Sequence, residues 1–270
     1  MNKIPFVTAA AAAALAVSLA ASSASAELVV VTYTGVVLTN SYDVTGVFGF
    51  PDNTDIGGQT YTATYVFNTA LGDVFSSPST NFAKGGTLYS AVSPALSATL
   101  TINGVTVSIG VPNYNAQIYG QNEGTTSAEQ AVAQNMEGVA GMGVYTYNYV
   151  DNEVHSNTGN LPASITTPFT YTVNPMTDYA TQDFQFETYN YGTDTFEAYA
   201  DGQLSAETLT VTVVPEPSTW TLMLIGFGGL SLAARRRSRP ATPQKLYDGG
   251  ATTRIGFPSR KASAFSMLRG

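Results

Sequence analysis

One stretch, at residues 97–111, constrains the fold of this chain more than any other. It reads SATLTINGVTVSIGV, in which two runs of alternating apolar and polar residues flank Asn103-Gly104. Both central residues of a type I′ turn need positive φ, and Asn and Gly tolerate this best. The stretch therefore predicts a β-hairpin whose apolar residues share one face. Those residues are Leu100, Ile102, Val105, Val107 and Ile109.

The rest of segment 27–214 has the same strand-and-turn character. GQTYTATYVFNT, at 58–69, alternates, and ELVVVTYTGVVLT, at 27–39, is typical of an opening strand or of a bent pair broken near Gly35. On the first of these, one face would hold Tyr61, Ala63, Tyr65 and Phe67. Further strand candidates are GMGVYTYNYV, TPFTYTV, DFQFETYNYG, TFEAYAD and AETLTVTVV. About nine to eleven short strands with turns between them predict an all-β fold, an antiparallel β-sandwich of jelly-roll type.

One segment of this domain has a different composition. TTSAEQAVAQNMEGVAG, at 125–141, is rich in Ala, Gln and Glu. Ser127 and Gln130 have the spacing of a capping box, and Val132 and Met136 would share one side of a helix. The pattern predicts one short helix that ends before Gly138.

The charge of segment 27–214 is strongly one-sided. It holds seventeen of the nineteen acids of the chain, all but Glu216 and Asp248, and its only base is Lys84, which gives a net charge of −16. A surface this acidic repels nucleic acid, so we expect no nucleic-acid partner. The chain has no cysteine, which excludes disulfides, thiol nucleophiles and Cys-ligated metals. Stability must therefore come from an apolar core.

The first residues, MNKIPFVTAAAAAALAVSLAASSASA, predict a secretory signal peptide at 1–26. Lys3 supplies the early positive charge, an apolar run spans 6–21, and Ala24 and Ala26 form an A-x-A cleavage site. A buried Ala-rich helix is the alternative, but these features come in the order of a signal peptide. We therefore expect export, with signal peptidase cutting after Ala26.

The stretch VPEPSTWTLMLIGFGGLSLAARRRSR has three parts. Pro215 and Pro217, on either side of Glu216, fix φ and cannot donate to a sheet ladder, so they end the last strand. An uncharged apolar run at 220–234 would make a helix about 22 Å long, short of the ~30 Å hydrocarbon core of a bilayer. Trp220 would lie at one interface, and an arginine block would stay on the cytoplasmic side. The block is Arg235, Arg236 and Arg237.

These elements, in this order, resemble the PEP-CTERM sorting signal, which would occupy 215–239. The resemblance implies exosortase, a membrane-embedded transpeptidase-like enzyme of Gram-negative bacteria that secrete exopolysaccharide, as a processing partner. Its cut would fall near Pro215-Glu216-Pro217, so these residues would be substrate and not catalyst. The chain would contact the inner membrane transiently and end at the cell surface or outside the cell. The same tail is also catalogued as an ice-binding-protein C-terminal domain.

Two further features accompany this resemblance. TYTGVV, DVTGVFG, GGQTYTATYVFNT and SATLTINGVTVSI are similar to pieces of poorly characterised exported proteins that carry this tail. The chain departs from the family after Arg239, where the signal normally ends within a few residues. Here 240–270 follow, with five bases and one acid, and their lack of pattern predicts disorder. This basic tail is either a read-through relic or a cytoplasmic segment lost with the signal.

Candidate ligand-binding residues are few. Asp52, Asn53 and Asp55 crowd the loop PDNTDIGG, whose oxygens could hold Ca²⁺ weakly, although the same residues are typical of a plain turn. We expect no other cofactor. His155 is the only histidine, in VDNEVHSN, and no G-x-S-x-G elbow precedes it, so no catalytic residue is assigned.

Two residue patterns suggest surfaces. Tyrosines in GVYTYNYV and FQFETYNYGTDTFEAYA could stack on sugars or form core pairs, and the rows at 60–64 and 208–212 set Thr at every second position, as on ice-binding surfaces or on any solvated strand. We expect a non-enzymatic, exosortase-sorted surface or matrix protein associated with exopolysaccharide or biofilm. A secreted carbohydrate-binding or glycoside-cleaving jelly-roll protein is the alternative.

Overall fold

A computed structural model describes residues 28–214. The predicted signal peptide, the sorting signal from Pro215 onward with its short helix, and the tail at 240–270 lie outside the described residues. The strands are β1 (Leu28–Val37), β2 (Tyr42–Asp43), β3 (Thr54–Asp55), β4 (Thr60–Asn68), β5 (Asp73–Ser76), β6 (Thr80–Gly85), β7 (Ala95–Ile102), β8 (Val105–Ser108), β9 (Asn115–Asn122), β10 (Ser127–Val139), β11 (Met142–Ser156), β12 (Phe169–Thr172), β13 (Asp178–Tyr179), β14 (Thr181–Asn190) and β15 (Thr195–Val214). A single 3₁₀ turn spans Thr87–Tyr89.

All strands join one antiparallel sheet, in the order β5-β6-β9-β10-β11-β14-β15-β1-β4-β7-β8. The short strands pair beside this path: β2 and β12 with β15, β13 with β11, and β3 with β2. The all-β class is confirmed. The jelly-roll sandwich is not confirmed, because the strands form one continuous curled sheet.

The curl brings the two halves of the sheet face to face around the core. The Tyr33 hydroxyl on β1 donates to the main-chain oxygen of Glu129 on β10 at 3.3 Å. On β4, the Tyr61 hydroxyl donates to Asn152 on β11, and the Asn152 amide donates to the Tyr65 hydroxyl, both at 2.8 Å. The tyrosine rings supply the apolar area of the core, and these bonds satisfy their buried hydroxyls.

The predicted hairpin forms at the edge of the sheet. Asn103 and Gly104 both have positive φ, 54° and 76°, between β7 and β8. Leu100 pairs with Val107 and Ile102 with Val105, which places these side chains on one face as predicted. The alternation of β4 is also confirmed, since all four of its expected inward residues are buried.

The opening segment forms one strand, β1, with a register shift against β15 between Thr34 and Gly35. A Cβ on Gly35 would lie only 2.0 Å from the main-chain oxygen of Ser205, so only glycine fits this close approach. The break expected near Gly35 is therefore a bulge within a continuous strand.

The predicted helix at 125–141 is wrong, because these residues form β10. This strand pairs with β9 on one side and β11 on the other. Its inward positions include Ala131 and Ala133, which are fully buried in the core, while Gln130 and Gln134 alternate with them. Helix propensity is a weak prior, and two flanking strands override it here. Within residues 28–214, no helix is long and apolar enough to cross a membrane.

Candidate functional site

Tyrosine, glutamine and carboxylate side chains share the outer side of β9, β10, β11, β14 and the first half of β15, which we name the tyrosine face. On β11, Val150, Asn152 and Val154 are buried, so the residues between them lie on the other side of the strand. The face comprises Gln117, Tyr119, Gln130, Gln134, Tyr145, Tyr147, Tyr149, Asp151, Glu153, Asp183, Gln185, Glu187, Tyr189, Phe196, Tyr199 and Asp201.

Aromatic rings gather at one end of this face. Tyr147 and Tyr149 are neighbours on β11, with ring centroids 5.5 Å apart. The ring of Tyr189 lies 4.9 Å from that of Phe196, whose ring in turn lies 4.6 Å from that of Tyr199. These two groups of rings lie on three neighbouring strands, β11, β14 and β15, and together make an aromatic platform wider than one side chain.

Hydrogen bonds between amides and carboxylates order the rest of the face. The Gln117 amide donates to Gln130 at 2.9 Å, and the Gln130 amide donates to Asp151 at 3.2 Å. On β14, Gln185 donates to the Glu187 carboxylate at 2.8 Å. These side chains are therefore held in defined positions and not only solvated.

Acidic side chains lie close together on the tyrosine face, and some of them are partly buried. Burial raises the pKa of Asp151 to about 7; the nearby Glu153 and Asp183 add to the increase, and the hydrogen bond from Gln130 opposes it. Burial also raises the pKa of Glu187 and of Asp201. Burial therefore disfavours the charged form of these acids, and ligands that offer hydrogen bonds or positive charge would offset the lost water.

An open cleft of about 350 Å³ lies on this face where β11, β14 and β15 meet. Its lining includes Tyr149, Asp183, Gln185 and Asp201. Burial raises the pKa of the Tyr149 hydroxyl to about 12, so this group stays a neutral donor at physiological pH. The cleft thus offers one aromatic ring beside carboxylates and an amide.

A second aromatic group continues the tyrosine face toward the sheet edge at β5. The rings of Phe75 and Phe82 stack with centroids 5.4 Å apart, and the register places Phe82 opposite Tyr119. The Lys84 ammonium lies 5.1 Å from the Phe82 ring centroid and 4.8 Å from that of Tyr89. The only base of the domain is therefore held at this edge by cation–π contacts.

Threonines dominate the outer side of β12, the second half of β15, β1, β4, β7 and β8, which we name the threonine face. The register aligns them in two rows across six strands. The first row is Thr172, Thr208, Thr34, Thr62, Thr101 and Thr106, and the second is Thr170, Thr210, Thr32, Thr64, Thr99 and Ser108. Hydroxyl pairs join neighbouring strands, as for Thr101 and Thr106 at 2.7 Å. No position of either row carries a charge.

The predicted calcium loop is organised by a different residue. The buried Asp43 carboxylate accepts the main-chain N–H groups of Val47, at 2.6 Å, and Phe48, at 2.8 Å. Asp55 accepts the N–H of Gly57 at 2.9 Å, and Asn53 has a positive φ of 58°, as in a turn. Among residues 28–214, no group of three or more His, Asp or Glu side chains is arranged to hold a metal ion. Calcium binding by Asp52, Asn53 and Asp55 stays a prediction.

His155 lies on β11. Its Nε2 is 2.6 Å from Glu153 Oε1, and its side chain is 51% exposed. Its ring also lies near Tyr179 on β13, at 6.4 Å between centroids. No serine hydroxyl is among these contacts, so the geometry gives no support to a Ser-His-Asp arrangement here.

The structure also contains a polar group that the sequence did not single out. Glu129 on β10 is fully buried, and among residues 28–214 neither of its carboxylate oxygens finds a hydrogen-bond partner. Burial raises its pKa well above the ordinary value. No local signal points to this burial, because Glu129 belongs to the predicted helix, where an acid in the first turn is expected on the surface.

Comparison with known protein families agrees with the carboxyl-terminal pattern. A family model described as the PEP-CTERM protein-sorting motif matches residues 213–237. The motif supports sorting by exosortase and implies export to the envelope or surface of a Gram-negative cell. The curated proteins and the solved structures that were compared with the chain give no match. The predicted processing residues Ala24, Ala26, Pro215, Glu216, Pro217, Trp220, Arg235, Arg236 and Arg237 lie outside the described residues.

Proposed function

We propose that residues 28–214 are a non-enzymatic binding domain that exosortase sorting delivers to the cell surface, and that the tyrosine face binds polysaccharide of the surrounding matrix. The observation that carries this proposal is the platform of Tyr147, Tyr149, Tyr189, Phe196 and Tyr199 beside ordered amides and acids. An aromatic ring presents an apolar face on which a sugar ring can pack. Amides and carboxylates then bind the sugar hydroxyls.

The charge of the domain narrows the class of polysaccharide. Acids crowd the tyrosine face, and Lys84 at its far edge is the only base of segment 27–214. A polymer that carries uronate, sulfate or phosphate would add like charge to this surface. Neutral polysaccharides and those with free amino groups meet no such repulsion. We therefore expect neutral or amino sugars to be the ligands.

A glycan array, together with a pull-down from native exopolysaccharide, tests this function with residues 27–214. The array carries neutral, amino-sugar and uronate polymers in parallel. We expect retention of neutral or amino-sugar polymers by the wild type and strong loss in Tyr149→Ala. The matched control is Thr64→Ala, which removes a hydroxyl from the threonine face. The absence of any retained glycan, or equal loss in both variants, would exclude the tyrosine face as the binding surface.

A second candidate function, glycoside cleavage, is favoured by one observation. A pKa of about 7 lets Asp151 hold a proton at neutral pH, as a general acid must, and Glu153 and Asp183 lie near it. The test is release of reducing ends from the retained polysaccharide by wild type and by Asp151→Asn. Release that Asp151→Asn abolishes, with retention unchanged, would replace the binding function by an enzymatic one.

A further inference from the structure

The sorting motif begins inside the folded sheet. The family model starts at residue 213, whereas β15 continues to Val214. Val213 pairs with Val29, and Val214 pairs with Leu28. Pro215 follows at once in the sequence, so no linker separates the last hydrogen-bonded residue from the Pro-Glu-Pro element. An exosortase that acts at Pro215-Glu216-Pro217 therefore acts directly beside the last residue of a folded strand.

Among the described residues, the end of that strand is paired on one side only. On one side, β1 pairs with β15 as far as Val214. On the other side, β12 pairs with β15 only as far as Val211. Among the described residues, Thr212, Val213 and Val214 therefore have a strand partner on one side alone. Thr212 and Val214 are exposed, so a second protein can approach this edge.

We propose that exosortase binds the free edge of Thr212–Val214 by adding a strand of its own, and that it does so on the folded domain. An exposed, extended edge supports such binding, because its main-chain groups are unpaired and already in strand geometry. Pro215 cannot donate to a sheet ladder, so the added pairing ends there. Docking there would bring exosortase next to the Pro-Glu-Pro element in the sequence, independently of what the tyrosine face binds.

The alternative is an enzyme that takes up the motif as an unfolded peptide. That route must detach Val213 and Val214 from β1, and Val213 packs against the core. Docking on the folded edge breaks no pairing. Docking on the folded edge also requires an order of events. Strand β1 begins two residues after Ala26, and it pairs with Thr212–Val214 on the side opposite the free edge. Signal-peptide removal and folding would come first, and sorting would follow.

An insertion tests this docking in the full chain, expressed in a Gram-negative host that carries exosortase. Gly-Ser-Gly-Ser is inserted between Val214 and Pro215, which leaves the motif intact but separates it from the edge. The control is the same insertion between the exposed Ala140 and Gly141, in the turn between β10 and β11. The readout is the fraction of exported, protease-resistant chain that has lost Arg235–Arg237, measured by mass spectrometry.

We expect the insertion after Val214 to lower the processed fraction about tenfold, as the loss of two or three main-chain hydrogen bonds implies. The control insertion should process like the wild type. Processing that stays equal, or becomes faster, after the insertion at Val214 would overturn the proposal, because a motif read as free peptide gains access from a linker.

Crosslinking gives a second, independent readout. The chain has no cysteine, so Thr212→Cys introduces its only thiol. With a short thiol-reactive crosslinker, this variant should be joined to exosortase. Thr195→Cys, at the exposed opposite end of β15, should not. Failure of Thr212→Cys to crosslink, or equal crosslinking at both positions, would contradict docking at the free edge.

Discussion

The tyrosine face and the threonine face lie on the outer side of one curled sheet, and they present different side chains to solvent. The threonine face repeats one uncharged residue in two rows, and its hydroxyls pair across strands. The tyrosine face combines rings, amides and acids, and burial raises the pKa of several of those acids. Thr is a good strand former whose cross-strand pairs stabilise a sheet, so the threonine face needs no further explanation.

This difference identifies the tyrosine face as the surface whose composition folding alone does not explain. Burial of Asp151 weakens the sheet through desolvation, and the nearby Glu153 and Asp183 add like charge. A surface that keeps them, next to Tyr149, carries a cost that ligand binding would explain. The threonine face shows that the same sheet can do without charge.

The largest expected effect is on the pH dependence of stability, through Asp151. Its pKa is about 7 when folded and 3.8 ordinarily, so its contribution is full below pH 4 and is lost as pH rises through 7. Asp151→Asn lacks this loss. Relative to the variant, the wild type should lose roughly 2–4 kcal/mol of unfolding free energy between pH 4 and pH 8.

Urea unfolding at both pH values measures this difference. Glu207→Gln, which removes an exposed carboxylate from β15 beyond the tyrosine face, is the control and should keep the wild-type difference between the two pH values. If the unfolding free energy of Asp151→Asn changes between the two pH values as much as that of the wild type, Asp151 is not desolvated in the folded protein. The electrostatic difference between the two faces then disappears.

The next effect is on binding. Tyr147→Ala combined with Tyr149→Ala removes two rings of the platform, each worth about 0.5–1.5 kcal/mol beyond its area, so affinity for the retained polysaccharide should fall roughly tenfold to a hundredfold. Thr62→Ala combined with Thr64→Ala, at the same spacing on β4, should change affinity less than twofold. Isothermal titration with polysaccharide fragments decides between them, and a greater loss in the threonine pair would reverse the roles of the two faces.

A smaller effect tests the turn that closes the edge of the threonine face. Gly104 has a φ of 76° with open space around its Cα, so Gly104→Ala meets no clash and acts through backbone strain alone. We expect about 1 kcal/mol of destabilisation in thermal unfolding and unchanged polysaccharide binding. A neutral result would mean that the type I′ turn is not what holds β7 and β8 in register.

The smallest effect tests the hydroxyl pairs themselves. Thr34 and Thr208 form a hydroxyl pair between β1 and β15. Thr34→Val keeps the shape and removes this bond, which should lower the unfolding free energy by about 0.5–1 kcal/mol. The comparison is Thr99→Val, which removes the hydroxyl of a residue whose cross-strand neighbour on β8 is Ser108 and not a threonine. An equal or larger loss in Thr99→Val would show that pairing is not the source of stability.

Much of this architecture could be predicted, because alternation and turn residues are local signals. The hairpin at Asn103-Gly104, the inward row of β4 and the strand candidates of β11, β12, β14 and β15 are confirmed. The segment at 127–139 was mistaken for a helix because its inward alanines and outward glutamines suit both structures. Only the pairing with β9 and β11, which is long-range, decides between them.

The sequence predicts only part of the tyrosine face. Alternation in GVYTYNYV places its tyrosines on one side but does not say whether that side is core or surface. The buried Asn152 settles this, because its amide reaches Tyr65 across the core and turns Tyr149 and Asp151 outward. The ladder from Gln117 through Gln130 to Asp151 joins three strands and depends on register, which no local pattern records.

Hydrogen exchange with and without the retained polysaccharide shows which of the two faces binds it. The two faces share strand β15, so one experiment reports on both within one molecule. We predict that bound polysaccharide slows exchange at 145–151, 183–189 and 196–201, and leaves 30–34, 62–66 and 208–212 unchanged. Protection confined to the second set of segments would contradict the account, because the ligand would then lie on the threonine face.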